Sequence, residues 1–215
     1  MSLYENYNNT FNDYSDVRVP VGIDLIKNII EKNKFRYIVD VGCGSGNYIK
    51  KLYEYTQLQK DKKFQLLGID GSVSMLSKIP DEINTKHVIF NEKTKLELED
   101  VDMIIINQVI HHLNKETLLN LIQECMNSLK EGGILYINTC TYDQVLYSQW
   151  WSMYYPKSGI EKFAQKANTA NKIVLNHYKC KKTYLLPEPL QNNYHDYHII
   201  RKITYMYLYG YNYIS

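Results

Sequence analysis

The sequence predicts a doubly wound α/β fold, in which helices cover both faces of a mainly parallel sheet to give three layers. An apolar run, Tyr37–Val41, enters a glycine-rich turn, and a helical pattern leaves it. A second apolar run, residues 64–69, ends in an acid, and a third, residues 103–106, is apolar throughout. Because such runs alternate with helical patterns, we expect parallel strands joined by right-handed crossovers.

Length and composition predict one domain over residues 1–215, since a chain of this size buries a full core. Hydrophobic residues make up 45% of the chain and charged residues 22%, as in ordinary globular proteins. The 25 basic and 23 acidic residues nearly balance, giving a net charge of +2. We therefore expect no nucleic-acid partner and no membrane partner.

The cysteines and the N-terminal segment predict a cytoplasmic protein with reduced thiols. No two of the four cysteines have C-x-x-C spacing, and residues 1–10 lack the pattern of a signal peptide. The apolar run at 103–106 is too short to span a bilayer. His177 and Cys180, like His195 and His198, are spaced as in metal sites, but neither pair has a second pair nearby in sequence. We expect no metal.

The helices follow from apolar residues that recur at helical spacing, and the strands from apolar runs bounded by turn residues. Lys130-Glu131-Gly132-Gly133 ends the fourth of these helices, since glycine suits a helix C-terminus. Helices are predicted at 21–32, 47–55, 73–79, 115–129 and 158–176, and strands at Tyr37–Val41, 64–69, 86–90, 102–107, 134–138 and 183–187. Residues 199–209 fit a strand or a helix equally well.

The glycine turn, D-V-G-C-G-S-G at residues 40–46, predicts a ligand site. A strand, a glycine turn and a helix together present backbone N–H groups and a helix N-terminus to a ligand. Asp70 ends the next strand, where its carboxylate can accept both hydroxyls of a ribose. It can instead cap the short helix that follows Ser72. Nicotinamide-dependent enzymes have the same combination of a strand, a glycine turn and an acid that ends the next strand, but their G-x-G-x-x-G motif places the third glycine one residue later than Gly46.

These motifs resemble those of class I S-adenosylmethionine-dependent methyltransferases. D-V-G-C-G-S-G is similar to their first motif, G-I-D-G-S at 68–72 to the acidic end of their second strand, and L-K-E-G-G at 129–133 to the turn before their fifth strand. The resemblance covers residues 11–140 and implies a Rossmann-like fold that binds S-adenosylmethionine. The residues it assigns to the cofactor are Tyr14, Arg18, Asp40, Gly42, Cys43, Gly44, Gly46, Asp70, Gly71, Glu92, Asn107 and Gln108.

Some of these assignments have plain structural alternatives. In the resembled family an N-terminal arm, here residues 1–20, folds over the cofactor, and Tyr14 and Arg18 would contact the methionine carboxylate or the substrate. An arginine fork suits a carboxylate, but the arm can equally be a loose terminus. Cys43 is expected to pack, because no base adjoins it in sequence.

Three further positions carry the resemblance beyond the second strand. Glu92, four residues before a leucine, matches an acid that binds the adenine amino group, or it belongs to a charged surface loop. Asn107 and Gln108 would lie beside the methionine part of the cofactor. The family's N-P-P-Y signature for amino groups on bases is absent, which argues against a DNA-adenine substrate.

His111 and His112 are the candidate catalytic residues. Either can remove a proton from an attacking O–H or N–H, because imidazole titrates near neutral pH. The alternative is that one packs against the sheet and the other caps the next helix.

Residues 141–182 are predicted to form an insert that covers the substrate, since residues 149–156 are strongly aromatic. The expected reaction is methyl transfer to an O, N or C atom of a small-molecule acceptor. The alternatives are a methyltransferase-like binding protein without activity, an RNA methyltransferase and an NAD-dependent oxidoreductase.

Overall fold

The computed structural model describes residue 20 and residues 22–59, 63–140, 157–177, 184–187 and 194–201. Its helices are α1 (Ile23–Asn33), α2 (Asn47–Gln57), α3 (Val73–Leu76), α4 (Lys115–Ser128) and α5 (Lys157–His177), with a 3₁₀ turn at Ile110–His112. Its strands are β1 (Tyr37–Val41), β2 (Gln65–Asp70), β3 (Asn84–His87), β4 (Val101–Asn107), β5 (Leu129–Cys140), β6 (Tyr184–Pro187) and β7 (Tyr194–Arg201).

The described strands form one sheet in the order β3-β2-β1-β4-β5-β7-β6. The strands from β3 to β5 are parallel, whereas β7 runs antiparallel to β5 and β6 antiparallel to β7. This arrangement confirms the predicted mainly parallel, doubly wound sheet. The chain reverses its direction of winding between β1 and β4, and in open α/β sheets a ligand crevice forms at such a point.

Hydrophobic cores lie on both faces of the sheet, which is why β4 is buried along its whole length. On one face, α1 and α2 cover side chains of alternate strand positions such as Ile38 and Met103. On the other face, α4 and α5 cover the intervening positions, such as Val39 and Ile104. These two helical layers with the sheet between them are the predicted three layers.

Asp102 organises the amino-terminal edge of the sheet. Its carboxylate accepts backbone N–H bonds from Arg36 at 2.6 Å and Tyr37 at 2.8 Å, and it forms an ion pair with Lys130. Burial opposes ionisation, but the Lys130 ammonium and these amides outweigh it and hold the pKa of Asp102 below its ordinary value. The contacts join the starts of β1 and β4 to the beginning of β5.

Several predicted boundaries were wrong. The third strand runs over Asn84–His87 instead of 86–90, because Asn84 is the residue paired with Leu67 while the apolar Phe90 enters the core from the following loop. Helix α3 ends at Leu76 instead of residue 79. Strand β5 begins at Leu129, so the predicted 134–138 covers only its central part. Of residues 199–209, the described part ends a strand, β7.

The other predicted elements lie within two residues of the observed ones. The N-terminal arm, residues 1–20, lies outside the described residues except for residue 20. The same holds for residues 141–156 and 178–182 of the predicted insert, whose middle is α5. No helix in the described part of the chain is both long and apolar enough to cross a membrane.

Candidate functional site

The glycine turn lies between the carboxyl ends of β1 and β2. The amides of Gly42 and Cys43 donate to the Ile69 carbonyl at 2.7 and 3.0 Å, which fixes the turn against the end of β2. Gly42 has φ +74°, and a Cβ there would lie 2.2 Å from a methyl carbon of Val109. Gly46 has φ +86°, and a Cβ there would lie 2.9 Å from Ile79. Both positions therefore require glycine for the fold itself.

Gly44 differs from these two glycines. Its φ is +55°, but a Cβ built on it meets no atom of the other described residues within 4 Å, its two chain neighbours aside. Its amide donates to a carboxylate oxygen of Asp70 at 2.8 Å. The backbone of the turn thus faces open space beside an acidic side chain, which leaves room for a ligand to approach it.

Asp70 braces the glycine turn and the turn that follows β2. Its second carboxylate oxygen accepts the Ser72 amide at 2.8 Å, while the Ser72 hydroxyl caps α3 by accepting the Met75 amide. The cap is therefore Ser72, not Asp70. Burial raises the pKa of Asp70 more than its amide donors, including Gly71, lower it. Each carboxylate oxygen has a second lone pair with which it can accept a hydroxyl.

Asp40 and Asn107 are buried polar side chains with unmet hydrogen-bonding capacity. Asp40 is 1% exposed and Asn107 8%. Within the described residues, neither carboxylate oxygen of Asp40 and neither side-chain amide atom of Asn107 has a hydrogen-bond partner. Burial, with the nearby charge of Asp70, raises the pKa of Asp40 to about 7. Such groups are costly in a folded protein unless a ligand or water satisfies them.

Cys43 is a packing residue, as predicted. Burial raises the pKa of its thiol well above the ordinary value, and the charges of Asp40 and Asp70 add to this. A Cβ at Gly68 would lie 3.0 Å from the Cys43 sulfur, so the side chain fills the space left by that glycine. A thiol with a raised pKa is a poor nucleophile, and only the backbone of Cys43 is suited to ligand contact.

Gln108 leaves β4 in the left-handed region, with φ +56°. Its amide donates to the Asn138 carbonyl at 2.8 Å, and its side-chain Nε2 lies 3.3 Å from Asn138 Oδ1. The other side-chain atom of Asn138, Nδ2, lies 3.4 Å from the hydroxyl oxygen of Tyr48 in the first turn of α2. Sequence analysis missed both Asn138 and Tyr48. The available signal was that Asn138 ends the predicted strand 134–138 as Asn107 ends β4, and the two residues pair in the parallel register.

The two histidines lie in the 3₁₀ turn after β4, and α5 packs over them. The His111 ring is 1% exposed and lies edge-on to Phe163 of α5, with centroids 4.9 Å apart. The His112 ring lies 5.8 Å from Phe163 and 4.2 Å from His111, and His112 is only partly buried. His112 is thus the more accessible of the two.

Glu92 is exposed in the loop between β3 and β4. Asn120 of α4 fixes this loop by donating to the carbonyls of Asn91 and Thr94 at 3.2 and 2.9 Å. Leu96, the leucine of the predicted pairing, is fully buried in the core. Tyr14 and Arg18 lie outside the described residues. Within the described ranges, no three His, Cys, Asp or Glu side chains gather as metal ligands.

A family model described as "Methyltransferase domain" matches residues 39–135. The chain is 28% identical over 136 residues to the probable S-adenosylmethionine-dependent methyltransferase CRG1 of Saccharomyces cerevisiae, covering 58% of this chain and 44% of that protein. It is 25% identical over 151 residues to O-methyltransferase 12 of Dictyostelium discoideum, covering 69% and 39%. The chain thus spans less than half the length of these curated relatives.

Solved structures share the fold. The plantazolicin methyltransferase BpumL, in complex with a pentazolic desmethylPZN analog and SAH, superposes with a TM-score of 0.62 at 13% identity, covering 88% of each chain. The methyltransferase domain of bacterial CtHen1-C superposes with a TM-score of 0.59 at 15% identity, covering 84% of this chain and 96% of that one. At such identities the likeness establishes the fold, which agrees with the family match.

Proposed function

We propose that this chain, which carries a class I S-adenosylmethionine-dependent methyltransferase domain, transfers a methyl group to an O, N or C atom of a small-molecule acceptor. The observation that carries the proposal is the space over Gly44 that none of the described residues fills, beside a turn whose amide donates to Asp70. The family match and the named relatives support the cofactor class.

The residues of the site fit S-adenosylmethionine, which supplies an electrophilic methyl group on a sulfonium centre. Asp70 would accept hydroxyls of the ribose, since its oxygens retain lone pairs beside their amide donors. Asp40 and Asn107 would hold polar atoms of the amino-acid end, since both are buried and lack partners among the described residues. The glycine turn would let the cofactor approach the backbone at Gly44.

The remaining work of the site would be alignment of the acceptor, exclusion of water and removal of a proton. For an O–H or N–H acceptor, we propose His112 as the base in preference to His111. The reason is access: Phe163 and the 3₁₀ turn bury His111 almost completely, whereas His112 keeps an exposed part. A base must lie within hydrogen-bond reach of the proton that it removes.

A small molecule suits the acceptor role better than a nucleic acid. The net charge of +2 on 215 residues supplies no general attraction for a polyanion. The aromatic segment 149–156 runs directly into α5, which packs on the histidine turn. The packing of α5 on this turn supports our proposal that segment 141–182 covers the substrate. The name of one curated relative, O-methyltransferase 12, is consistent with transfer to an oxygen atom.

Calorimetric titration with S-adenosylhomocysteine, the product form of the cofactor, tests the proposal. We expect the wild-type chain to bind it, and Asp70→Ala to bind at least about tenfold more weakly, because one charged hydrogen bond is worth roughly 1.5–3 kcal/mol. Asp24→Ala is the matched control, since Asp24 is an exposed acid on α1 paired only with Lys27 among the described residues.

The outcomes separate the alternatives. No binding of S-adenosylhomocysteine by the wild-type chain would overturn the proposal, and binding of NADH in its place would favour an oxidoreductase. If binding is confirmed, incubation with S-adenosylmethionine and a panel of phenols, amines and carboxylic acids identifies the acceptor atom. Methylation of RNA with none of these small molecules would overturn the small-molecule part alone.

A further inference from the structure

Asn138 contacts Gln108 and Tyr48, so it joins three segments of the chain next to the proposed cofactor site. It lies near the end of β5 and is fully buried. Its carbonyl and its Oδ1 both face Gln108, which follows β4. Its Nδ2 faces the hydroxyl of Tyr48, which lies in the first turn of α2 just after the glycine turn. Nothing in the family motifs of the sequence marks this residue.

The register of the sheet places Asn138 at the level of the site. Asn138 is the partner of Asn107 in the parallel pairing of β4 and β5. Both residues continue the alternate positions that face α1 and α2, such as Met103 in β4 and Tyr136 in β5. Asn138 therefore lies beside Asn107, whose side-chain amide has no partner among the described residues, at the end of the strands where the proposed site lies.

Gln108 depends on Asn138 for its conformation. A left-handed φ of +56° is unfavourable for a residue with a side chain, by about 1–2 kcal/mol. The amide hydrogen bond of 2.8 Å to the Asn138 carbonyl offsets part of this cost, and the side-chain contact of 3.3 Å fixes the direction of the glutamine amide. Residues that their surroundings hold in an unfavourable backbone conformation are common at functional sites, where this conformation positions a side chain before the ligand binds.

We propose that Asn138 is a positioning residue for methyl transfer. By contacting both Gln108 and Tyr48 at the carboxyl end of β4, it keeps both side chains in place before the cofactor binds. It touches neither the cofactor nor the acceptor and acts through its two partners. This inference rests on the proposed function, since it assigns Gln108 to the cofactor site.

A double-mutant cycle on the two partners tests the link. Tyr48→Phe removes one hydroxyl, and Gln108→Asn keeps an amide that tolerates the left-handed region but shortens its reach to Asn138. We expect each change to weaken S-adenosylhomocysteine binding about fivefold, the value of one buried neutral hydrogen bond. The fold loss of affinity in the double variant should be clearly smaller than the product of the two single fold losses, because losing either contact already loosens Asn138.

Two further variants separate positioning from general stability. Asn138→Leu should abolish the coupling, and if that variant does not fold, the cycle in the native background decides. Thr139→Val is the control: Thr139 is the next residue of β5, fully buried, and its hydroxyl has no partner among the described residues. We expect Thr139→Val to change the melting temperature without changing the affinity for S-adenosylhomocysteine.

The possible results distinguish this inference from the proposed function. Wild-type binding with independent, multiplicative losses in the cycle would overturn the role of Asn138 and leave the methyltransferase proposal intact. Wild-type affinity in both single variants would do the same. Absence of binding by the wild-type chain would overturn the proposed function, and this inference with it.

Discussion

Two glycines of the chain provide a matched test of where the ligand approaches the backbone. Gly44 and Gly132 both have left-handed φ values, +55° and +73°, and a Cβ on either meets no atom of the described residues within 4 Å, chain neighbours aside. They lie at opposite ends of the parallel strands. Gly44 lies in the turn after β1, and Gly132 near the amino end of β4, a distance of about 20 Å at the usual strand rise.

The change to alanine should cost both positions a similar amount of stability. A left-handed alanine is strained by about 1–2 kcal/mol, and the smaller entropy of its unfolded chain offsets about 0.4–1 kcal/mol. The net loss of about 1 kcal/mol corresponds to about 2–4 °C in melting temperature for a chain of this length. Neither change brings the added methyl group against the part of the chain that the structure describes, because none of those residues lies within 4 Å of it, chain neighbours aside.

Ligand binding should separate the two variants. If the cofactor contacts the backbone at Gly44, the added methyl group takes the place of ligand atoms. Overfilling a packed contact costs roughly 1–3 kcal/mol, which is about a fivefold to a hundredfold loss of affinity. Calorimetry with S-adenosylhomocysteine and thermal unfolding of Gly44→Ala and Gly132→Ala measure both quantities. Equal affinity in the two variants would refute the placement of the ligand over Gly44, whatever their melting temperatures.

Two aspartates give further predictions. The pKa of Asp40 in the folded protein, about 7, lies above its ordinary value of 3.8, so the wild-type protein should lose stability as pH rises through that window. In urea unfolding, Asp40→Asn should therefore gain stability relative to the wild type from pH 5 to pH 7.5, and it should bind S-adenosylhomocysteine more weakly. Parallel pH profiles of the free energy of unfolding would contradict this prediction. The lowered pKa of Asp102 has the opposite sign: its stabilisation is complete above the ordinary pKa and is lost as pH falls through the folded pKa. Asp102→Asn should therefore lower the free energy of unfolding at pH 7 by about 2 kcal/mol and leave the affinity for S-adenosylhomocysteine unchanged. Equal stability of the variant and the wild type at pH 7 would show that the ion pair with Lys130 contributes nothing.

The sequence predicted the central strands well because their burial leaves a strong signal. β4 is apolar on both faces since helices cover both, and its predicted bounds differ by one residue. β3 was displaced because its four residues, Asn84–His87, are polar or partly exposed, while the apolar Val88 and Phe90 pack from a loop. An apolar run in the sequence indicates which residues are buried, but it does not indicate which residues form the backbone pairing of a strand.

The candidate site was predictable only where a motif has a local cause. Gly42 and Gly46 are required by their left-handed backbone and by their neighbours Val109 and Ile79, so this requirement is visible in the sequence as the spacing of the glycine turn. Asn138 has no such signature. Its role arises from the register of β4 with β5 and from the position of α2, which bring residues 48, 108 and 138 together. Contacts between distant segments depend on the sheet order, which no local pattern specifies.

A comparison of two buried aspartates indicates which edge of the sheet is functional. Asp102, at the amino-terminal edge, is satisfied by two backbone amides and Lys130, and its pKa is lowered. Asp40, at the carboxyl-terminal edge, is more deeply buried, has no partner for either oxygen among the described residues, and has a raised pKa. Stability alone would favour an apolar residue at position 40, because an unsatisfied buried carboxyl group is costly. The acid at that position is therefore consistent with the proposed cofactor site, where a polar group from outside the described residues would satisfy it.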